Sequence, residues 1–376
     1  MAPGREVAIA WNGRPTRAWV PERLSKRDLS LNERAVRATE RAAALTGRAS
    51  DALPPEWEPL ARLLLRSEGV ASSAIEGVRA PVAAIAAAEL EPAGDDDAAW
   101  IADNLAAVRR SIADAHRRPL DVAALNRWHR ALMSNTTRLP RRLIGRPRDT
   151  QGWIGGTSPL DAALVTPPPA RVGALLDDLV AFANRTDVDA VTQAAVAHAQ
   201  FEVIHPYADG NGRVGRVLAG WVLTRRLHVV NPPPISTGIA RDRGGYLSGL
   251  TLFRLGDVDP WVRWFADVVA GAAEASIVLV RDVAELQARW DERLGRVRVD
   301  ATARRVVRLL PAHPVIAAST VAGALAISER AARSALTTLA DAGIVDGYEP
   351  ARRARGRPRR WWVAQELLDL VTEWAR

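Results

Sequence analysis

His205-Pro-Tyr-Ala-Asp-Gly-Asn-Gly-Arg-Val-Gly-Arg216 gathers a proton acceptor, a carboxylate, two arginines and three glycines in one run. Gly210 and Gly212 flank Asn211, so the backbone can take left-handed dihedrals and turn successive N–H groups toward one point, an anion nest. The following Arg213-Val-Gly-Arg216-Val-Leu-Ala-Gly-Trp-Val-Leu-Thr-Arg-Arg226 reads as a helix, and a helix N-terminus favours phosphate. Arg213 and Arg216 are three apart and share a face, where guanidinium forks suit phosphate oxygens. Asp209 supplies a hard oxygen for Mg²⁺, which prefers few protein carboxylates plus substrate phosphates. His205 is the group that can accept a proton near neutral pH.

The segment before the loop, Ala194-Ala-Val-Ala-His-Ala-Gln-Phe-Glu202, is helical in composition, and Pro206 pushes His205 out of the helical region. Gly210-Asn-Gly212-Arg-Val-Gly215 also satisfies G-x-G-x-x-G. A dinucleotide fold is excluded by context: no strand precedes the glycines, and no acidic residue stands near Pro232 to Pro234.

These twelve residues resemble the signature of the Fic family, His-Pro-Phe-x-Asp/Glu-Gly-Asn-Gly-Arg-x-x-Arg, with Tyr207 for Phe as the departure. The resemblance implies an enzyme that binds ATP with Mg²⁺ and moves AMP onto a protein hydroxyl. His205 would then deprotonate the hydroxyl and Asp209 hold the metal. Gly210, Asn211 and Gly212 would hold the α- and β-phosphates, Arg213 the distal phosphates and Arg216 the γ-phosphate.

Upstream, Ser72-Ser-Ala-Ile-Glu76-Gly77 places Ser72 and Glu76 on one helical face, with Gly77 as a helix stop. By itself this reads rather as a surface glutamate in a last turn. It is also similar to the Ser/Thr-x-x-x-Glu-Gly/Asn helix with which some Fic proteins inhibit themselves, which implies that Glu76 pairs with Arg216.

Gly145-Arg-Pro-Arg-Asp-Thr-Gln-Gly-Trp153-Ile-Gly-Gly156 reads as a short surface hairpin. In Fic proteins the equivalent flap pairs its backbone with the target segment, which makes Trp153, Ile154 and Gly155 target-binding candidates. Tyr246 is a candidate cover for the adenine base and, equally, a packing residue. His129 and His198 read as helix packing residues. Asp95-Asp-Asp97 reads as a helix cap.

At 376 residues, with 48% hydrophobic and 25% charged residues, the chain is long enough for two or three globular domains. The absence of cysteine excludes disulfides, thiolate metal sites and cysteine nucleophiles. No apolar run is long enough to span a membrane and the start lacks a signal-peptide core, so a cytoplasmic location is expected. The net charge of +8 is nearly all arginine, with Lys26 the one lysine, and is informative only where it clusters.

It clusters at the end: Arg352, Arg353, Arg355, Arg357, Arg359 and Arg360 lie between Ile344-Val-Asp-Gly-Tyr348 and Trp361-Trp-Val363. Before them, helices are expected from Ala301 to Leu310, from a Ser319 cap to Ala326, and from a Ser328 cap to Asp341. This order resembles a winged helix, with the third helix suited to a major groove and the wing to phosphate. Such modules also dock proteins.

The expected fold is mainly α with small hairpins: an N-terminal helical segment (1–119) carrying the inhibitory motif, a Fic core (120–295) and a winged helix (296–376). The expected function is a self-inhibited protein adenylyltransferase using ATP and Mg²⁺ on an unknown target protein. Alternatives are a DNA-bound regulator switched by nucleotide, or a Fic enzyme that removes AMP or transfers another phosphate-containing group. DNA is an expected partner of the C-terminal segment, a membrane is not, and the resemblance implies a possible homodimer.

Overall fold

The computed structural model describes residues 4–53, 58–90, 96–298, 301–349 and 360–375. Strands β1 (Arg5–Trp11) and β2 (Arg14–Val20) pair antiparallel with Val7 opposite Ala18. Asn12 and Gly13 between them have φ of 48° and 76°, the two left-handed positions that a tight hairpin needs.

Five helices follow: α1 (Glu33–Asp51), α2 (Glu58–Ile75), α3 (Val82–Leu90), α4 (Asp97–Arg117) and α5 (Val122–Leu132). Asn32, Asp96 and Asp121 cap α1, α4 and α5 by accepting the N–H of Ala35, Ala99 and Ala124. Asp96 is thus the cap expected of its cluster; Asp95 lies outside the described residues. Strand β3 (Trp153–Ile154) pairs antiparallel with β4 (Leu164–Val165), and α6 (Pro169–Ala183), α7 (Ala190–Ile204) and α8 (Asn211–Leu227) complete the centre.

Every residue of α7 is buried, so this Ala-rich helix is wrapped on all sides. Helix α8 can lie close to it because of Gly215, where a Cβ would overlap Glu202 Oε1 and stand 3.0 Å from His198 Nδ1. Fully buried Trp128, Trp221 and Trp261 fill the surrounding core.

Next come α9 (Ile235–Arg241), α10 (Arg243–Arg254) and the 36-residue α11 (Val258–Arg293). The first half of α11 packs Trp261, Val262 and Phe265 into the central core. Its second half gives Leu279, Val283, Leu286 and Trp290 to another core, shared with Leu60, Leu63 and Leu64 of α2 and with the last elements. Those elements are α12 (Thr302–Leu309), β5 (Val315–Ala317), α13 (Ala318–Leu325), α14 (Glu329–Asp341), β6 (Asp346–Tyr348), β7 (Trp361–Val363) and α15 (Gln365–Ala375). The three strands form an antiparallel sheet in the order β5-β7-β6.

The architecture is mainly α with small sheets, as expected. One local expectation, the Ser319 cap, changes. Helix α2 runs to Ile75, so the Ser72 motif ends that helix. Helix α3, Val-Ala-Ala-Ile-Ala-Ala-Ala-Glu-Leu, is nearly uniform in hydropathy and has no amphipathic period to read. Ser319 lies inside α13 and caps nothing, because β5 runs straight into that helix at Ala317. Ser328 does cap α14, accepting the Ala331 N–H. Arg352, Arg353, Arg355, Arg357 and Arg359 lie outside the described residues; Arg360 stands 5.1 Å over the Trp362 ring.

Candidate active site

Helix α7 ends in His205, whose φ of 48° and ψ of 62° are left-handed. A non-glycine residue rarely adopts this conformation, and where it is held the strain tends to mark a site. Gly210, at φ 76°, then starts α8 without any side-chain cap, so the first N–H groups of that helix are left for an anion.

The loop between is locked from inside. Asn211 accepts the Tyr207 N–H and donates to the Tyr207 carbonyl, both at 2.8 Å. The Asn211 amide therefore holds the loop, and what it leaves for a phosphate is its backbone N–H. Asp209 accepts the Gly210 N–H at 2.5 Å and remains half exposed. Arg213 is buried, with Nη2 4.0 Å from Asp209 Oδ1 and 3.9 Å from Met133 Sδ. Arg213, Asp209, Glu76, Met133, Arg138 and Trp100 line one cleft.

Helix α2 closes this cleft from above. Gly77, at φ 81°, ends the helix as its left-handed stop, with the Val78 N–H bonded to Ser73 O and the Gly77 N–H to Ala74 O. That termination puts Glu76 over the start of α8. Arg216 Nη2 donates to Glu76 Oε1 at 2.8 Å and to the Ser72 carbonyl at 2.9 Å, while Nε donates to Ser72 Oγ at 2.9 Å. A Cβ at Gly212 would overlap Glu76 Oε1, so the carboxylate sits directly against the glycine nest. Glu68 anchors the same helix by accepting the Ser236 N–H and hydroxyl, and Asn104 does so through Gly69 O and Ser73 Oγ.

Electrostatics sort these groups. Burial works to raise the Glu76 carboxyl, but its partner Arg216 outweighs that and holds it below the ordinary value. Burial opposes charge on Arg216, and Glu76 reverses it. Burial first, then the Arg148 charge, push the His205 imidazole down to about 4, so it is neutral and able to accept a proton at neutral pH.

The flap residues Trp153 and Ile154 form β3, half-buried, and Gly155 turns the chain at φ 69°. Trp153 meets Trp11 of the N-terminal hairpin edge-on at 5.5 Å. Tyr246 is buried among Trp261 and Trp264, its hydroxyl 3.0 Å from His198 Nε2, and it interacts electrostatically with the Arg216 guanidinium. It is not among the residues that line the Asp209–Arg213 cleft.

Two residues hold the loop in a way the sequence reading did not assign. His129 accepts the Gly145 N–H on Nδ1 at 2.8 Å, so Nε2 carries the proton and donates to the Asp209 carbonyl at 3.1 Å. Its ring stacks on Tyr207 at 4.0 Å, and burial lowers its pKa to about 4. Arg148 donates to the His205 carbonyl at 2.9 Å. Neither carries a local signal beyond being a polar residue in an apolar stretch or a glycine-rich loop.

Among the described residues no cluster of three or more His, Asp or Glu could hold a metal ion unaided, and no helix is long and apolar enough to cross a membrane. Residues 119–223 match the Fic/DOC family. Protein adenylyltransferase fic-1 of Caenorhabditis elegans is 30% identical over 176 residues, 44% of this chain and 32% of that protein. Protein adenylyltransferase Fic of Drosophila grimshawi is 33% identical over 126 residues, 33% of this chain and 24% of that protein. The chain thus spans a third or less of the length of these relatives. In fold it is similar to a Fic family protein from Desulfovibrio desulfuricans, with a TM-score of 0.54, 20% identity and coverage of 89% of this chain and 97% of that one. A Fic domain containing signaling protein from Bacteroides thetaiotaomicron gives 0.52 at 16% identity, covering 66% of this chain and 97% of that one.

Proposed function

From the premise that this chain carries a Fic/DOC domain, we propose that it is a protein adenylyltransferase that transfers AMP from ATP to a hydroxyl of a target protein and is restrained by its own Glu76. The observation that carries the reading is the meeting, over one glycine nest, of a neutral His205, an uncapped helix start and the Arg216–Glu76 pair.

In this reading the triphosphate lies along the start of α8, its oxygens on the free N–H groups and the Arg213 guanidinium. His205 takes the proton of the target hydroxyl as that oxygen bonds to the α-phosphorus. The bond from the α-phosphorus to the bridging oxygen breaks, and pyrophosphate leaves with its electron pair. Asp209, a half-exposed carboxylate in the cleft, fits Mg²⁺, a cation that takes one or two protein carboxylates and completes its shell with phosphate oxygens and water. That ion would neutralise phosphate charge. Strand β3, paired with β4 on one side in a two-stranded sheet, would offer its other edge to the target segment, with Trp153, Ile154 and Gly155 at the contact.

The experiment is to incubate the chain with a lysate and either α-labelled or γ-labelled ATP. Protein-bound label from the α position alone supports adenylyl transfer. Label from the γ position replaces it with phosphotransfer.

A second reading concerns the last elements. Their order of helix, strand, two helices and hairpin, joined to the arginine-rich stretch 352–360, supports a winged helix that binds DNA. Its core includes Leu60, Leu63 and Leu64 of α2, the helix that delivers Glu76. Arg66 of α2 is also bonded to the Ala312 carbonyl and to Glu89 of α3. Occupancy of the C-terminal unit would therefore reach the nucleotide site through α2.

A further inference from the structure

Arg148 is buried at 4% exposure, and among the described residues its guanidinium bonds only to neutral oxygens. Nε donates to the His205 carbonyl at 2.9 Å and Nη1 to the Thr150 carbonyl at 2.8 Å. Nη2 donates to Thr166 Oγ1 at 2.9 Å and to the Pro167 carbonyl at 2.6 Å. The main-chain N–H of Arg148 donates to the Pro206 carbonyl at 2.8 Å. One residue therefore holds both carbonyls of the His205-Pro206 pair and both ends of the β3–β4 flap.

Burying a cation without an anion is costly, so packing alone does not account for an arginine here. The chain also makes room for it. A Cβ at Gly152 would lie 2.8 Å from both Arg148 Nε and Thr166 Oγ1.

We infer that Arg148 is the positioning residue of His205: it fixes the left-handed His205 backbone to the base of the flap. The inference rests on the proposed role of His205 as base. Left-handed geometry at a non-glycine residue persists only where neighbours over-determine it, and here the restraint on the following carbonyls comes from Arg148. Burial and then the Arg148 charge disfavour a proton on His205, while the Glu202 backbone, Glu76 and Asp209 favour one.

The test uses the full chain and two readouts. Histidine-selective NMR titration follows His205 in wild type, Arg148→Gln, Arg148→Lys and Gly152→Ala. Labelling from α-labelled ATP gives kcat and KM for ATP in the same proteins. Arg148→Gln should move the His205 titration to higher pH and lower kcat about 10- to 100-fold with KM for ATP unchanged, since small misplacements cost that much. Arg148→Lys, which keeps the charge without the fork, should keep the low titration and lose part of kcat. Gly152→Ala, which displaces the guanidinium but keeps it, should lower kcat and serves if Arg148→Gln does not fold. An unmoved His205 titration with wild-type kcat in the folded variants overturns the inference. If neither wild type nor Glu76→Gly transfers anything, the functional reading fails, and the titration alone still decides the position of Arg148.

Discussion

Glu76 Oε1 and Arg216 Nη2 lie 2.8 Å apart across 140 residues of sequence, joining the end of α2 to the first turns of α8. The guanidinium is 1% exposed and the carboxylate 37%. The pair thus has a buried, fixed half and an accessible half. Removing one partner of such a pair ordinarily leaves the other bare and destabilises the fold. A triphosphate can instead supply the replacement anion, which makes this pair suited to a latch.

His205→Ala should abolish transfer while leaving ATP binding near normal. Loss of a general base costs about 10² to 10⁴ in rate, whereas the phosphate contacts come from the nest and Arg213. Calorimetry on ATP beside a labelling assay separates the two effects. Full labelling by the variant would contradict the role.

Glu202→Gln should stabilise the chain at alkaline pH and hardly at acid pH. Burial, opposed by Arg216 and assisted by Glu76, raises the Glu202 carboxyl from 4.5 to about 8. Between these values the native state keeps a proton that the unfolded chain has released, so stability is present at low pH and lost as pH rises toward 8. A tenfold difference in proton affinity between the two states corresponds to about 1.4 kcal/mol. Thermal melts at pH 5 and pH 8 check it, and an equal difference at both would contradict a protonated Glu202.

Replacing Arg355, Arg357 and Arg359 together should flatten the salt dependence of DNA binding by the full chain. For every phosphate no longer neutralised, the slope of log affinity against log salt falls by about 0.9. Binding titrations at several salt concentrations measure it. No binding by wild type even at low salt would leave protein docking as the role of this segment.

The glycine-rich loop after α7 and the Ser72–Gly77 turn are legible in sequence because their requirements are local. Gly210 and Gly77 sit at positive φ where only small or special residues rest easily, and Pro206 follows the residue that leaves the helix. The roles of Arg148 and His129 are not local. Arg148 is one arginine in an arginine-rich chain until the fold brings Gly152, Thr166 and His205 around it. Asn211 has a part beyond the one it shows in sequence: it stands in the nest, and its side-chain amide also closes the loop on Tyr207. Tyr246 reads as an adenine cover or a packing residue, and α10 sets it in the core against His198.

The central claim, that Glu76 restrains adenylyl transfer by holding Arg216, is tested most directly by comparing wild type with Glu76→Gly for protein labelling from α-labelled ATP. The account predicts at least about tenfold faster labelling by Glu76→Gly, since a nucleotide misplaced by roughly 1 Å already loses about a hundredfold. It also predicts tighter productive ATP binding by that variant and loss of the gain in a Glu76→Gly, His205→Ala double variant. Labelling by Glu76→Gly at or below the wild-type rate, with the variant folded, would contradict it.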